Sequence, residues 1–119
     1  MQPEIRIIIN NTSFTALLET HAAARGFLQQ LPLRLEMMEL NANEKYARLR
    51  LPLPASPEKR AKIQAGDLML WEDDTVVLFY KTFTTSYRYT RLGSISDPLG
   101  LEAVVGKGTV PVFLNVVDY

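Results

Sequence analysis

Tyr87, Tyr89 and Arg91 stand at alternate positions in the run Ser86-Tyr87-Arg88-Tyr89-Thr90-Arg91. Side chains alternate along a strand, so these three project from one face. A guanidinium between phenol rings can donate to an amide, a carboxylate or a prolyl nitrogen while the rings hold an apolar ring. Convergence of polar and aromatic groups is the usual mark of a ligand pocket. Phe83 and Ser86, at the entrance to this strand, join any such pocket. A solvent-facing aromatic ladder with a cation resting on it accounts for the same residues, and the two readings stand side by side.

The loop Asn41-Ala42-Asn43-Glu44-Lys45 follows a hydrophobic strand, as ligand-contacting loops on rigid scaffolds do. The simpler reading is that Asn41 and Asn43 shape a turn by bonding their own backbone, with Glu44 and Lys45 solvated. Tyr46 belongs either to a cleft or to the edge of the core. His21 is the single histidine and there is no cysteine. Thiol chemistry is thereby excluded, a zinc site would need carboxylates to complete it, and no Gly-x-Ser-x-Gly elbow supports a serine triad. His21 reads as a surface residue at a helix start. Glu72-Asp73-Asp74 fits a hairpin tip better than a cation site. Gly106-Lys107-Gly108-Thr109 lacks the full phosphate-loop pattern. Neither a metal nor a cofactor is expected.

The elements that must carry these residues are short. Ile5, Ile7 and Ile9 alternate with polar neighbours, Asn10-Asn11 is a tight-turn pair, and Phe14–Leu18 returns. Thr20 is placed to cap a helix with apolar positions Ala24, Phe27, Leu28 and Leu31; Gly26 weakens it and Pro32 stops it. Leu33, Leu35 and Met37 form a half-buried strand, followed by Tyr46–Leu51. Pro52, Pro54 and Pro57 confine the next stretch to loop, with one helical turn opening at Ser56-Pro57-Glu58. Leu68–Trp71 and Val76–Tyr80 are apolar on both faces, so their hairpin is expected to have barrel interior on one side and a helix on the other. Ser86–Leu92 is a strand. Asp97-Pro98 reads as a helix start and Gly106 as its end. Pro111 places the closing strand Thr109–Val117 at an edge or seam. About eight short strands and two short helices, with turns at 8–12-residue spacing, indicate a mainly β barrel or sandwich.

The chain is 119 residues long, with 47% hydrophobic and 22% charged residues, which suits one folded domain over residues 1–119. Thirteen basic and thirteen acidic side chains cancel. Lys81, Arg88 and Arg91 among Tyr80, Phe83, Tyr87 and Tyr89 are the one basic-aromatic cluster, but the neutral chain lacks the basic groove of a nucleic-acid binder. No nucleic-acid or membrane partner is expected. The apolar runs are far shorter than the roughly 20 residues that span a bilayer, and the N-terminus has no secretory character; the expected location is cytoplasmic. Oligomeric state is not legible.

Several runs in order resemble a family of small bacterial cyclophilin-like-fold proteins. They are Leu40-Asn41-Ala42-Asn43-Glu44-Lys45-Tyr46, Ala65-Gly66-Asp67-Leu68-Met69-Leu70, Leu78-Phe79-Tyr80, Phe83 through Gly93, and Asp97-Pro98. The resemblance covers about Ile5 to Val116 and implies a closed β-barrel capped by two short helices. True cyclophilins are peptidyl-prolyl isomerases with an active-site arginine, often in a Phe-His-Arg run, and no such run exists here. The expected function is therefore a binding module for a peptide or small ligand in a barrel-side cleft, built on Tyr46, Phe83, Ser86, Tyr87, Tyr89 and Arg91. Asn41, Asn43 and Glu44 are secondary candidates. The alternative is a weak or specialised prolyl isomerase in which Arg91 donates to the prolyl nitrogen.

Overall fold

Period-two alternation writes most of the wall. The computed structural model describes residues 2–59 and 61–117. In β1 (Glu4–Ile9) the three isoleucines at 5, 7 and 9 are fully buried and Arg6 is outside. Asn10 and Asn11 take φ of 48° and 66°, the left-handed pair that a two-residue hairpin requires. β2 (Thr12–Leu18) returns with Phe14, Ala16 and Leu18 inward. β3 (Leu33–Leu40) buries Leu35 and Met37, and its outer face carries Met38 and Leu40 where polar residues would be usual. Asn41 and Ala42, both at positive φ, turn the chain into β4 (Glu44–Arg48).

β7 (Asp67–Trp71) and β8 (Thr75–Phe79) form the all-apolar hairpin, with Glu72 at φ 54° in its turn. β10 (Arg88–Ile95) and β11 (Val110–Val116) complete the wall. The strand order is β2-β1-β11-β3-β4-β8-β7-β10, and β10 pairs back onto β2 through Gly93, Ser94 and Ile95. All pairings are antiparallel, so eight strands close into a barrel. Its interior is one cluster running from Ile5, Ile7 and Ile9 through Met37, Leu70, Leu78 and Leu92 to Leu114.

Closure depends on a glycine. A bulge between Arg91 and Gly93 shifts the register of β10 against β7. A Cβ on Gly93 would lie 2.3 Å from the Leu17 carbonyl oxygen and 3.0 Å from Leu18 Cα. Only a residue without a side chain lets the last strand reach the first.

Helix α1 (Ala22–Gln29) inserts Ala23 and Phe27 into the barrel cluster. Leu53, from the proline-rich stretch, packs beside it, 3.1 Å from where a Gly26 Cβ would stand. Gly26 thus makes room for Leu53 inside the helix that it weakens. Helix α2 (Leu101–Val105) adds Leu101 and Val105.

Several expectations are corrected. The cap of α1 is His21 rather than Thr20: its Nδ1 accepts the Ala24 amide at 3.3 Å. Asp97 and Pro98 precede α2 instead of opening it; the Asp97 carboxylate accepts the Leu99 amide at 3.2 Å, and Gly100 at φ 84° holds the cap position. Ser56-Pro57-Glu58 leads into β5 (Glu58–Lys59), which pairs with β10, rather than a helical turn. β11 is internal, paired with both β1 and β3, but its pairing with β1 ends at Val112. Pro111 lies one residue beyond that end, where one of the two ladders has already stopped.

Among the described residues no helix covers the outside of the β7–β8 hairpin. β6 (Lys62–Ile63) and β9 (Phe83–Thr84) pair with each other in a separate two-stranded sheet. Ile63, Met69, Val77, Phe79 and Tyr89 form a second apolar cluster, with Tyr46 and Phe83 at its margin. Apolarity on both faces of the hairpin is explained by this added layer of strand and loop. Among the described residues no helix is long and apolar enough to cross a membrane.

Candidate functional site

The outer face of the wall is a grid that the register spells out. Leu40, Glu44 and Phe79 lie opposite one another on β3, β4 and β8. The next row is Met38, Tyr46, Val77, Met69 and Arg91. Arg48, Thr75 and Trp71 form the third. The added layer covers this face only on the β7–β10 side. A cavity of about 660 Å3 is left on the other side, with Val77 and Thr75 in its floor. Tyr46, Trp71, Tyr87 and Tyr89 supply its rings, and Met38, Leu40, Asn41, Glu44 and Arg48 complete the lining.

Much of this surface is apolar and open to solvent. Met38, Leu40 and Trp71 are each more than two-fifths exposed, and Tyr87 is 66% exposed. Tyr89 is buried, edge-on to Phe79 with ring centroids 5.5 Å apart. The Phe79 ring in turn lies 5.4 Å from Phe83. This aromatic chain ties the pocket wall to the added layer, each pair adding about 0.5–1.5 kcal/mol beyond its buried area.

Glu44 is the exceptional lining group. It is only 7% exposed, and among the described residues its side chain makes no hydrogen bond and no ion pair. Burial, and secondarily the charge of Glu39, push its carboxyl from an ordinary 4.5 up to about 7. The Tyr89 phenol is pushed up to about 12 by burial and then by the nearby Glu44 and Tyr87. Near neutral pH the Glu44 carboxyl therefore exists in both forms, accepting from a cation or N–H when ionised and donating to a carbonyl when protonated.

Its neighbour Lys45 is also buried, on the opposite face of β4. Its ammonium reaches Glu39 at 3.1 Å and the carbonyls of Gly106 and Gly108 at 3.0 and 2.6 Å. The Tyr80 hydroxyl donates to Glu39 at 2.7 Å. Burial alone would raise the Glu39 carboxyl, but Tyr80, Lys45 and the Ala42 amide outweigh it and hold it below its usual value. Burial and the same Glu39 charge raise the Tyr80 phenol. This network closes the end of the barrel and leaves nothing of Lys45 for a ligand. Both residues expected to be solvated, Glu44 and Lys45, are thus buried.

The candidates are only partly brought together. Asn41, Glu44, Tyr46, Tyr87 and Tyr89 line the cavity. Asn43 stands at the turn, its carbonyl accepting from the Tyr80 amide at 3.0 Å. Phe83 belongs to the outer cluster, and Ser86 is exposed outside the lining. Arg91 shares a row with Tyr46 but stands three strands away, about 14 Å at the usual interstrand spacing. Buried Met69 lies between. Its Nη1 donates to Asp67 at 3.2 Å, its Nε lies 3.9 Å from Glu19, and its carbonyl accepts His21 Nε2–H at 2.6 Å. Because His21 Nδ1 is already an acceptor, the proton is on Nε2. Arg91 works as a latch between β10, β7 and the start of α1.

Sequence reasoning missed Met38, Leu40, Arg48, Trp71, Thr75 and Val77. One signal was present: Met38 and Leu40 occupy the polar phase of an alternating strand, as expected where the outer face is also used. Among the described residues, no three histidine, aspartate or glutamate side chains gather as metal ligands.

No curated protein and no solved structure matches the chain. A family model described as the cyclophilin-like family matches residues 7–115, nearly the whole barrel, and the chain belongs to that family.

Proposed function

We propose that this barrel is a binding module that takes a peptide or small ligand in the outer-face cavity without turning it over. One observation carries the reading. An open pocket with four aromatic rings also contains the carboxyl of Glu44, a residue only 7% exposed whose side chain has no hydrogen bond or ion pair among the described residues. Burying such a group costs free energy, and a ligand that satisfies it recovers that cost. The volume is that of a small-molecule site.

The isomerase alternative asks for a cationic donor over a prolyl ring. Arg91 is committed to Asp67 and Glu19 and lies outside the cavity lining, and the Arg48 guanidinium leans on Asp74 at 3.5 Å. Binding without turnover is therefore the preferred reading.

The test is a fragment and Xaa-Pro peptide screen read by amide NMR. Ligands are expected to shift Tyr46, Trp71, Thr75, Val77 and Tyr87 together. Hits that consistently perturb other surfaces and leave these five still refute the assignment. Accelerated cis/trans exchange on any of the peptides would replace it with the isomerase.

A further inference from the structure

Charge, shape and strand pairing narrow the class of ligand. Glu44 is the buried charge-bearing group of the cavity, and its neighbourhood is electronegative. Glu39 is within electrostatic reach and adds its charge, while Lys45 is turned to the other face and spent on Glu39 and two carbonyls. The Tyr89 phenol, pushed up to about 12, is neutral. The one cation in the lining, Arg48, sits four residues along β4, about 14 Å from Glu44 at the usual rise, and is offset by Asp74. Aromatic faces attract cations, and a cavity that holds both rings and a carboxylate suits an ammonium group carried on an apolar stem.

Pairing argues against an extended peptide. β8 and β7 are each paired on both sides, so the floor of the cavity offers no free strand edge for main-chain hydrogen bonds. A compact molecule is what remains.

Resting on the pocket reading above, we propose that the cavity binds a small alkylammonium compound. Its charged nitrogen is set against the Glu44 carboxylate, and its methylenes lie against the rings of Tyr46, Tyr87 and Tyr89.

The experiment titrates the protein with n-butylammonium, with n-butanol as the uncharged analogue, and with a lysine blocked at both its amino and carboxyl ends. Trp71, the single tryptophan, reports occupancy by its fluorescence, with amide NMR as the second readout. Butylammonium is expected to bind about tenfold or more tightly than butanol. Glu44→Gln, nearly isosteric, should erase that difference by weakening butylammonium, and Tyr87→Ala, at an exposed side chain, should weaken both. An amine stays charged to about pH 10, so its affinity should rise between pH 6 and 8 as Glu44 loses its proton. Equal binding of butylammonium and butanol, insensitive to Glu44→Gln, overturns the ammonium inference but keeps the pocket. Binding that strengthens as pH falls assigns Glu44 as a donor to a carbonyl and also overturns it. No response at the cavity to any probe removes the pocket reading itself. Tighter binding of the blocked lysine than of butylammonium would transfer the site to a peptide side chain.

Discussion

Replacing Glu44 by glutamine isolates the cost of a carboxylate in the cavity. In the unfolded chain this carboxyl titrates near 4.5, and in the barrel at about 7. A folded-state pKa above the unfolded one means that the protonated form is favoured by folding. The associated stability is fully present below about pH 4.5 and is lost as pH rises through 7. At 1.36 kcal/mol for each pH unit between the two pKa values, the loss amounts to about 3 kcal/mol. Glutamine has no proton to lose, so Glu44→Gln escapes this term. Urea denaturation of both proteins at several pH values between about 4.5 and 8 measures the difference directly. The two should be of similar stability at the acid end. By pH 8 the variant should be the more stable by about 3 kcal/mol, most of the divergence appearing below pH 7. A constant difference across the range, or a wild type that gains on the variant as pH rises, refutes the reasoning. Either outcome would mean that Glu44 is solvated or paired when the protein is folded.

Gly93→Ala places a methyl group against the Leu17 carbonyl at the barrel seam and should cost about 3 kcal/mol, since only backbone movement can relieve it. Denaturation checks the cost, and amide shifts confined to β2 and β10 check the location; a neutral substitution would contradict the close approach. Lys45→Met strips Glu39 and the Gly106 and Gly108 carbonyls of their shared partner and should cost about 3–5 kcal/mol. Part of that should return in the double variant with Glu39→Gln. A loss below about 1 kcal/mol would mean that water replaces the ammonium.

Where local chemistry decided the structure, the sequence could be read. Alternating isoleucines, the Asn10-Asn11 turn and the doubly apolar hairpin each report on their own neighbourhood, and the barrel follows from them together with the family resemblance. Tyr87 and Tyr89 were legible for the same reason. Arg91 was not, because β8 and β7, the latter with buried Met69, separate it from Tyr46, and that spacing is a property of the register rather than of the local run. Glu44 and Lys45 looked like one solvated pair, yet adjacent residues of a strand face opposite ways, and each is buried in a different environment. The layer over β7 and β8 was expected to be helical because apolarity demands a cover without specifying its kind. Proline-rich stretches such as 52–57 give little hint that Leu53 is buried beside a helix or that the chain then pairs briefly with β10.

The added layer gives the protein two separate regimes of cooperativity. The barrel interior joins all eight strands, whereas the added layer contributes only Ile63 and Phe83, each from a two-residue strand, to the outer cluster against Met69, Val77, Phe79 and Tyr89 of the wall. A unit that small opens at a lower free energy than the barrel, so it can loosen and re-form while the hydrogen-bonded ring stays shut. Tyr89 belongs to both the layer and the cavity wall. A ligand that holds Tyr89 in place would therefore also steady the Lys62–Ile63 and Phe83–Thr84 strands, and the outer layer can acquire substitutions that retune its opening without touching the fold that carries it.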